Sequence, residues 1–365
     1  MYVESIRVKN YRNYHNQEIY FKNGMNILIG PNGIGKTNLL EALYLLSTTR
    51  SHRNNDEKEI IKFNEEFAAV EGVVINKNGK DKLDVILHKR GKSLSVNNVL
   101  VKKNSEFIGK LNAVLFSPND MDLFDSSPRD RRRLIDMEMG KLSRSYMLNL
   151  SNYLKFLKQR NAYLKQQKID DVMLDTYTEL LFNPQIQIIK ERNSFINSLN
   201  AYLSYFYSEV SGSKNKLQMV YKSFIREKSN DELMKEEMKK TYEGLKDRDL
   251  ALKQTNIGIH REDYEFYLNN MNVSKYCSQG QKRMVILALK LSIVQIIYQI
   301  KREYPILLLD DVFSELDSEH RICLLRLLPN SVQTIITTTD LREVSLIRRQ
   351  DVNIIRIGKG MINNG

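Results

Sequence analysis

Gly30-Pro31-Asn32-Gly33-Ile34-Gly35-Lys36-Thr37 matches G-x-x-x-x-G-K-[ST] at every fixed position. Its flanks suit the motif. Met25-Asn26-Ile27-Leu28-Ile29 is an apolar run bounded by glycines, as a buried strand is, and Leu39, Leu40, Leu43 and Leu46 follow at helical spacing. Strand, glycine-rich turn and helix in that order predict a phosphate cradle. The glycines let the backbone wrap an anion with its N–H groups inward, at the positive end of a helix. Lys36 then reaches the β- and γ-phosphates of a nucleotide, and the Thr37 hydroxyl ligates Mg²⁺. ATP and Mg²⁺ are the expected cofactors.

Two further runs extend this reading. Ile306-Leu307-Leu308-Leu309-Asp310-Asp311 is an apolar strand ending in acids, the Walker B arrangement. Asp310 is then the metal-side carboxylate facing Thr37, and Asp311 stands where a general base polarises the attacking water. Asp311 and Lys36 are the expected catalytic residues. Many buried strands end in an acid, so this run carries weight only beside the phosphate loop. Cys277-Ser278-Gln279-Gly280-Gln281 precedes a long apolar helix. Ser278 and Gly280 read there either as a second anion site, with free N–H groups and a dipole, or as a plain helix cap.

The combination resembles the ABC ATPases. Ser278, Gly280 and Gln281 fall on the Leu-Ser-Gly-Gly-Gln signature of that superfamily, and Ser314-Glu315-Leu316-Asp317 resembles its D-loop. Within it the chain is similar to the RecF family, DNA-repair members of the SMC-like branch. The likeness is carried by Asn10-Tyr11-Arg12-Asn13-Tyr14, Arg50-Ser51-His52-Arg53, Phe116-Ser117-Pro118, Ser127-Pro128 with Arg131-Arg132-Arg133, and Gly258-Ile259-His260-Arg261-Glu262-Asp263. It runs from about residue 3 to residue 340. The resemblance implies that Gly30 to Thr37, Asn38, Arg12, Ser278, Gly280 and Gln281 contact the nucleotide, with Thr37 and Asp310 on the metal. It also implies an ATP-dependent homodimer that clamps duplex DNA beside single-strand gaps and helps RecO and RecR load RecA recombinase, slow DNA-dependent hydrolysis releasing the clamp. Three features depart from the wider ABC pattern. Asn119-Asp120 replaces the Q-loop glutamine, Thr337-Thr338-Thr339-Asp340 has no switch histidine, and Asp311 stands where most relatives have Glu. Within the RecF pattern, Ile259 replaces the usual Pro.

Residues 1–120 and 252–365 carry α/β texture, and residues 121–251 read as helical and polar, interrupted at Pro184. The expected fold is therefore an α/β ABC-type head, residues 1–120 plus 252–365, with an inserted helical lever-like domain at 121–251. Walker A and B lie about 275 residues apart. The gap holds neither the sustained heptads of an SMC coiled coil nor a Cys-x-x-Cys hook.

Lys plus Arg is 56 and Asp plus Glu 44, a formal charge of +12. That excess suits a polyanionic partner, or simply a solvated basic surface. Between Arg129 and Lys168 there are eleven Lys or Arg and three acids, interleaved with Tyr146, Tyr153, Phe156 and Tyr163. The stretch reads as a phosphate-contact surface, with Arg131, Arg132 and Arg133 as DNA-binding candidates, or as a solvated helix whose aromatics pack inward. Two cysteines are too few for a disulfide framework. No secretory signal opens the chain, and the apolar region Met284 to Ile300, with Lys290 inside it, falls short of a membrane span. A cytoplasmic protein that acts on DNA and not at a membrane is expected. The competing readings are the ATPase subunit of a membrane transporter and a chromosome-organising SMC-like protein.

Overall fold

The computed structural model describes residues 1–53, 56–340, 352–358 and 361–364, the last four by backbone alone. The chain forms two compact units, Met1–Met121 with Tyr205–Lys214 and Arg283–Gly365, and Asp122–Ser204 with Asn215–Lys282.

The first unit holds two sheets. One has the strand order Met361–Asn364, Val352–Gly358, Met25–Ile29, Thr334–Thr338, Ile306–Leu309, Ala113–Phe116, parallel except for its first pair. Of its inner strands Ile306–Leu309 is apolar throughout, and both it and Thr334–Thr338 are wholly buried, as parallel strands covered on both faces must be. The second sheet is antiparallel, in the order Tyr14–Tyr20, Tyr2–Tyr11, Phe67–Asn76, Gly79–His88, Gly91–Val96, Val99–Leu100. Here burial alternates. Ile6 and Val8 are fully buried while Arg7 and Lys9 are exposed. The hairpin of Gly91–Val96 and Val99–Leu100 turns at Asn97 and Asn98, both with positive φ (53° and 64°), the conformation a two-residue turn needs. Helix Lys36–Thr48 packs against both sheets and is buried almost all round. Its Leu39, Leu40, Leu43, Leu45 and Leu46 are each 0% exposed, worth about 1.5–3 kcal/mol apiece in buried apolar surface.

The second unit contains helices Pro128–Leu142, Arg144–Tyr163, Asp171–Glu179, Asp231–Gly244 and Lys246–Leu252. Helix Phe182–Ser211 begins two residues before Pro184. Pro184 thus sits in a first turn, where its missing N–H has no intrahelical partner to lose, and does not interrupt the helix. The unit also has a sheet that the polar, helical texture concealed. Asp263–Leu268 pairs antiparallel with Leu217–Lys222 and with Met271–Asn272. This pairing is why residues 252–282 group with the second unit and not, as the texture suggested, with the first. The free edge of Leu217–Lys222 is satisfied by side chains. Asn200 exchanges two hydrogen bonds with the Met219 backbone (2.8 and 2.9 Å), and the Ser204 hydroxyl does the same with Leu217 (2.9 and 3.1 Å).

Helix Gln279–Lys301 meets the length and hydropathy of a membrane span, which the sequence reading denied it, yet 72% of its apolar window is buried inside the protein. Lys290, in its middle, donates to the Leu115 carbonyl (2.7 Å) and pairs with Asp120 (2.7 Å).

Candidate nucleotide-binding site

The phosphate loop leaves strand Met25–Ile29 and ends where helix Lys36–Thr48 begins. Gly35 caps that helix at φ 119°, a conformation that only glycine adopts without strain. A Cβ there would also lie 2.6 Å from the Asn13 amide and 2.9 Å from the Tyr14 hydroxyl. Lys36 is 8% exposed and donates to the carbonyls of Gly30 (2.7 Å) and Pro31 (2.9 Å). Burial lowers its pKa, against the opposing pull of Asp311 and Asp310.

Two residues 273 positions apart meet at the start of this helix. The Thr37 hydroxyl donates to Asp310 Oδ1 at 2.8 Å. Thr337, on the neighbouring strand, donates to the same oxygen at 3.0 Å, and its own oxygen accepts from the Asp311 backbone N–H at 2.9 Å. Burial raises the Asp310 pKa, Asp311 adds to the rise, and the Thr37 and Thr337 hydrogen bonds and the charge of Arg53 oppose it. Asp311 is half-buried, with its backbone in the left-handed region at φ 51°. For a non-glycine residue that costs about 1–2 kcal/mol, the kind of strain found where a side chain must be aimed. A hydroxyl and a carboxylate converging at a helix N-terminus are hard oxygen donors, and they fit Mg²⁺. Thr37 and Asp310 would hold it.

Arg12 and Asn38 lie beside the loop with their polar groups engaged by the protein. The Arg12 guanidinium forks onto Glu41 (2.7 and 2.9 Å) and donates to the Glu59 carbonyl (2.9 Å). Asn38 donates to Asn13 (2.8 Å) and accepts from Arg53 (2.9 Å). Sequence reasoning assigned no role to Thr337, Asn13, Tyr14 or Glu41. The one local signal was Glu41 itself, an acid on the apolar face of a helix.

Ser278, Gly280 and Gln281 are exposed and belong to the second unit. The Ser278 hydroxyl accepts from the Gln281 N–H (3.2 Å), and the Gln281 side chain accepts from the Ser278 N–H (2.9 Å). This is a reciprocal capping box.

The arginine triplet departs from its expected role. Arg131 forks onto Asp263 (2.8 Å twice) and donates to the Ser126 carbonyl (2.7 Å), and Arg132 donates to the Glu262 carbonyl. Arg133 is half-buried. Two of the three guanidiniums are thus tied to the Glu262-Asp263 turn within the second unit. The same turn carries a buried network. Glu262 pairs with the fully buried Arg192 (2.9 Å), which also reaches Asp136 (2.8 Å) and the Tyr146 hydroxyl (3.0 Å). Tyr153 meets His260 at 2.5 Å. Tyr146 and Tyr153 are 0% exposed, so these two aromatics of the basic stretch pack inward, while Phe156 and Tyr163 are half-buried. Gly258, at φ 124°, admits no side chain, since a Cβ would lie 2.7 Å from the hydroxyls of Tyr153 and Tyr242.

A phosphate loop, a Walker B strand two places away in a parallel sheet, an added antiparallel sheet and a signature-type capping box define an ABC-type ATPase of the SMC-head class. The model of the RecF/RecN/SMC N terminal domain matches residues 2–359. The DNA replication and repair protein RecF of Bacillus pumilus is 38% identical over 368 residues, 99% of this chain and all of that one. RecF of Lactobacillus johnsonii is 39% identical over 370 residues, 100% of this chain and 99% of that one. A solved structure described as the recombination mediator protein RecF-ATP in the RecFOR pathway superposes with a TM-score of 0.91 at 33% identity, covering 100% of this chain and 97% of the other. The chain belongs to the RecF family of SMC-like ABC ATPases, which sets the transporter reading aside.

Proposed function

We propose that this chain is an ATP-switched DNA-repair protein whose two copies close on DNA at single-strand gaps and reopen on slow, DNA-dependent hydrolysis. The reading is carried by the Thr37–Asp310 hydrogen bond, which joins the phosphate loop to the Walker B acid. When ATP enters, Lys36 exchanges the Gly30 and Pro31 carbonyls for the β- and γ-phosphate oxygens. The amides of residues 33–37 take the remaining charge. Thr37 and Asp310 would hold Mg²⁺, which would supply positive charge to offset that of the phosphates. Asp311 orients the attacking water and accepts its proton.

One nucleotide per chain and two anion-binding segments make sense if Ser278, Gly280 and Gln281 serve the γ-phosphate of a partner copy. The residues 30–37 and 278–281 then form composite sites in an ATP-dependent homodimer, with the helical unit as a lever. Phosphate contacts pass from the arginine triplet to the exposed Lys155, Lys158, Lys165 and Lys168 of the same basic stretch. RecO, RecR and RecA are the partners, and the cytoplasm the compartment, that the family relationship supports. Sedimentation of the chain with ATP, with and without gapped duplex, tests the reading. The expected result is an ATP-dependent dimer favoured by the gapped DNA. A chain that stays monomeric with both present contradicts it.

A further inference from the structure

Two carbonyls of the phosphate loop are held from outside the loop. The Asn13 side chain donates to the Ile34 carbonyl at 2.7 Å, and the Tyr14 hydroxyl to the Gly35 carbonyl at 3.1 Å, where it joins the Leu39 N–H of the following helix, also at 3.1 Å. In a trans peptide the C=O and the next N–H point in opposite directions. Fixing the Ile34 and Gly35 carbonyls therefore fixes the N–H groups of Gly35 and Lys36, on the opposite side. We propose that Asn13 and Tyr14 are positioning residues that keep those two amides turned toward the phosphates, and that Glu41 is the buried anchor of the segment carrying them. The proposal rests on the reading of residues 30–37 as the ATP site.

The segment is built to stay put. Asn10 and Arg12 both take left-handed backbone conformations (φ 51° and 53°) on either side of the fully buried Tyr11. Such a turn persists only when its surroundings compel it. The surroundings are present. The Arg12 N–H donates to the Ile60 carbonyl (2.7 Å), the Lys62 N–H to the Asn10 carbonyl (2.9 Å), and the Asn10 side chain to Glu65 (2.9 Å). Glu41 is 0% exposed, five residues beyond Lys36 on the helix the loop opens, and it accepts the Arg12 fork and the Ser51 hydroxyl (2.5 Å). Burial alone would raise its pKa, but these donors hold it below the ordinary value, so it stays charged. Releasing Arg12 would strand that charge in the interior. Asn13 is itself oriented by Asn38, and Asn38 by Arg53. No gap separates the collar formed by Asn13 and Tyr14 from the loop, because even a methyl group on Gly35 would collide with both side chains. A loop preset in this way does not have to rotate two peptides when nucleotide arrives, and that saving appears as affinity.

The test uses two uncharged, near-isosteric changes in the full chain, Tyr14→Phe and Asn13→Leu, with ADP as the probe. Each should raise the ADP Kd by about tenfold, equivalent to about 1.4 kcal/mol. Kd should change more than kcat at saturating ATP, and amide hydrogen exchange should quicken at Gly35 and Lys36. A folded Tyr14→Phe chain whose Kd lies within about twofold of the parent overturns the proposal, as does unchanged exchange at those two amides. Asn13→Leu reports the larger contact, and Tyr14→Phe keeps the test decisive if Asn13→Leu does not fold. Lys36→Ala, measured alongside, separates the two levels. If it binds ADP like the parent, residues 30–37 are not the nucleotide site and the earlier reading fails, whatever the collar does.

Discussion

At the scale of single residues, Lys36 and Asp311 divide binding from chemistry. Lys36→Ala should abolish tight ATP binding and DNA clamping together, because it removes the side chain aimed at the β- and γ-phosphates. Fluorescent-nucleotide titration checks this, and normal affinity would refute the assignment. Asp311→Asn keeps the backbone N–H that binds Thr337 and the metal-side Asp310, so nucleotide should still bind. Hydrolysis should fall by about 10²-fold or more, the usual worth of a positioned general base. The variant should accumulate as a DNA-bound dimer in gel shifts. A parental rate would assign water activation to a different acid. The phosphate loop was legible because its chemistry is local. A backbone that must curl around an anion demands particular residues at fixed spacing, whereas Thr337 and Asn13 act only through contacts that no local pattern records.

At the scale of elements, the basic helices separate packing from phosphate contact. Arg131→Ala strands Asp263 beside a half-empty site, so it should lower stability by about 1–3 kcal/mol and leave the salt dependence of DNA binding alone. Lys155→Glu with Lys158→Glu should do the reverse. Each lost phosphate contact lowers the log–log salt slope by about 0.9. Salt titration on one DNA, read beside thermal melting, distinguishes the two outcomes. The contacts of Arg131 and Arg132 were hidden from a linear reading because their partners, the Asp263 carboxylate and the Glu262 carbonyl, lie some 130 residues away. The strand Leu217–Lys222 escaped notice for a related reason, since its pairing partner Asp263–Leu268 lies beyond an intervening pair of helices.

Two buried imidazoles set an acid limit on these elements. Burial pushes His52 and His260 down to about 4 from 6.5. The unfolded chain protonates both near 6.5, while the folded chain keeps them neutral until pH approaches 4. Across that window the unfolded state binds more protons, so stability is fully present above about pH 6.5 and falls as pH drops toward 4. Glu41 adds to the loss only once the pH falls into the ordinary carboxylate range, where the unfolded chain binds its proton while the folded pKa is held lower. Denaturant midpoints should therefore decline between about pH 7.5 and 5, and His260→Gln should flatten that decline. Identical midpoints at the two pH values would show that both imidazoles titrate freely.

At the scale of the whole molecule, the composite-site model predicts complementation. Ser278→Arg spoils the signature and leaves the phosphate loop intact, so ATP binding by the monomer should remain near normal while dimerisation and hydrolysis are lost. Lys36→Ala spoils the other half. Mixed, the two variants form one complete site in each heterodimer, and ATPase activity should return in the mixture alone. If heterodimers form and hold one ATP without hydrolysing it, both sites must fire together. If they hold none, the composite model is wrong.

The strand that opens the phosphate loop, Met25–Ile29, is sandwiched between Thr334–Thr338 and Val352–Gly358. A ribosome making this chain therefore releases the loop long before either neighbour exists. At about 5–20 residues per second the wait is on the order of tens of seconds. Residues 122–204 and 215–282 can settle into their own unit meanwhile, but Val352–Gly358 cannot pair with Met25–Ile29 until synthesis has passed residue 358. A chain broken upstream of Ile306 lacks Asp310 and Asp311, and one broken upstream of Thr334 lacks the strand that carries Thr337, so neither completes the site.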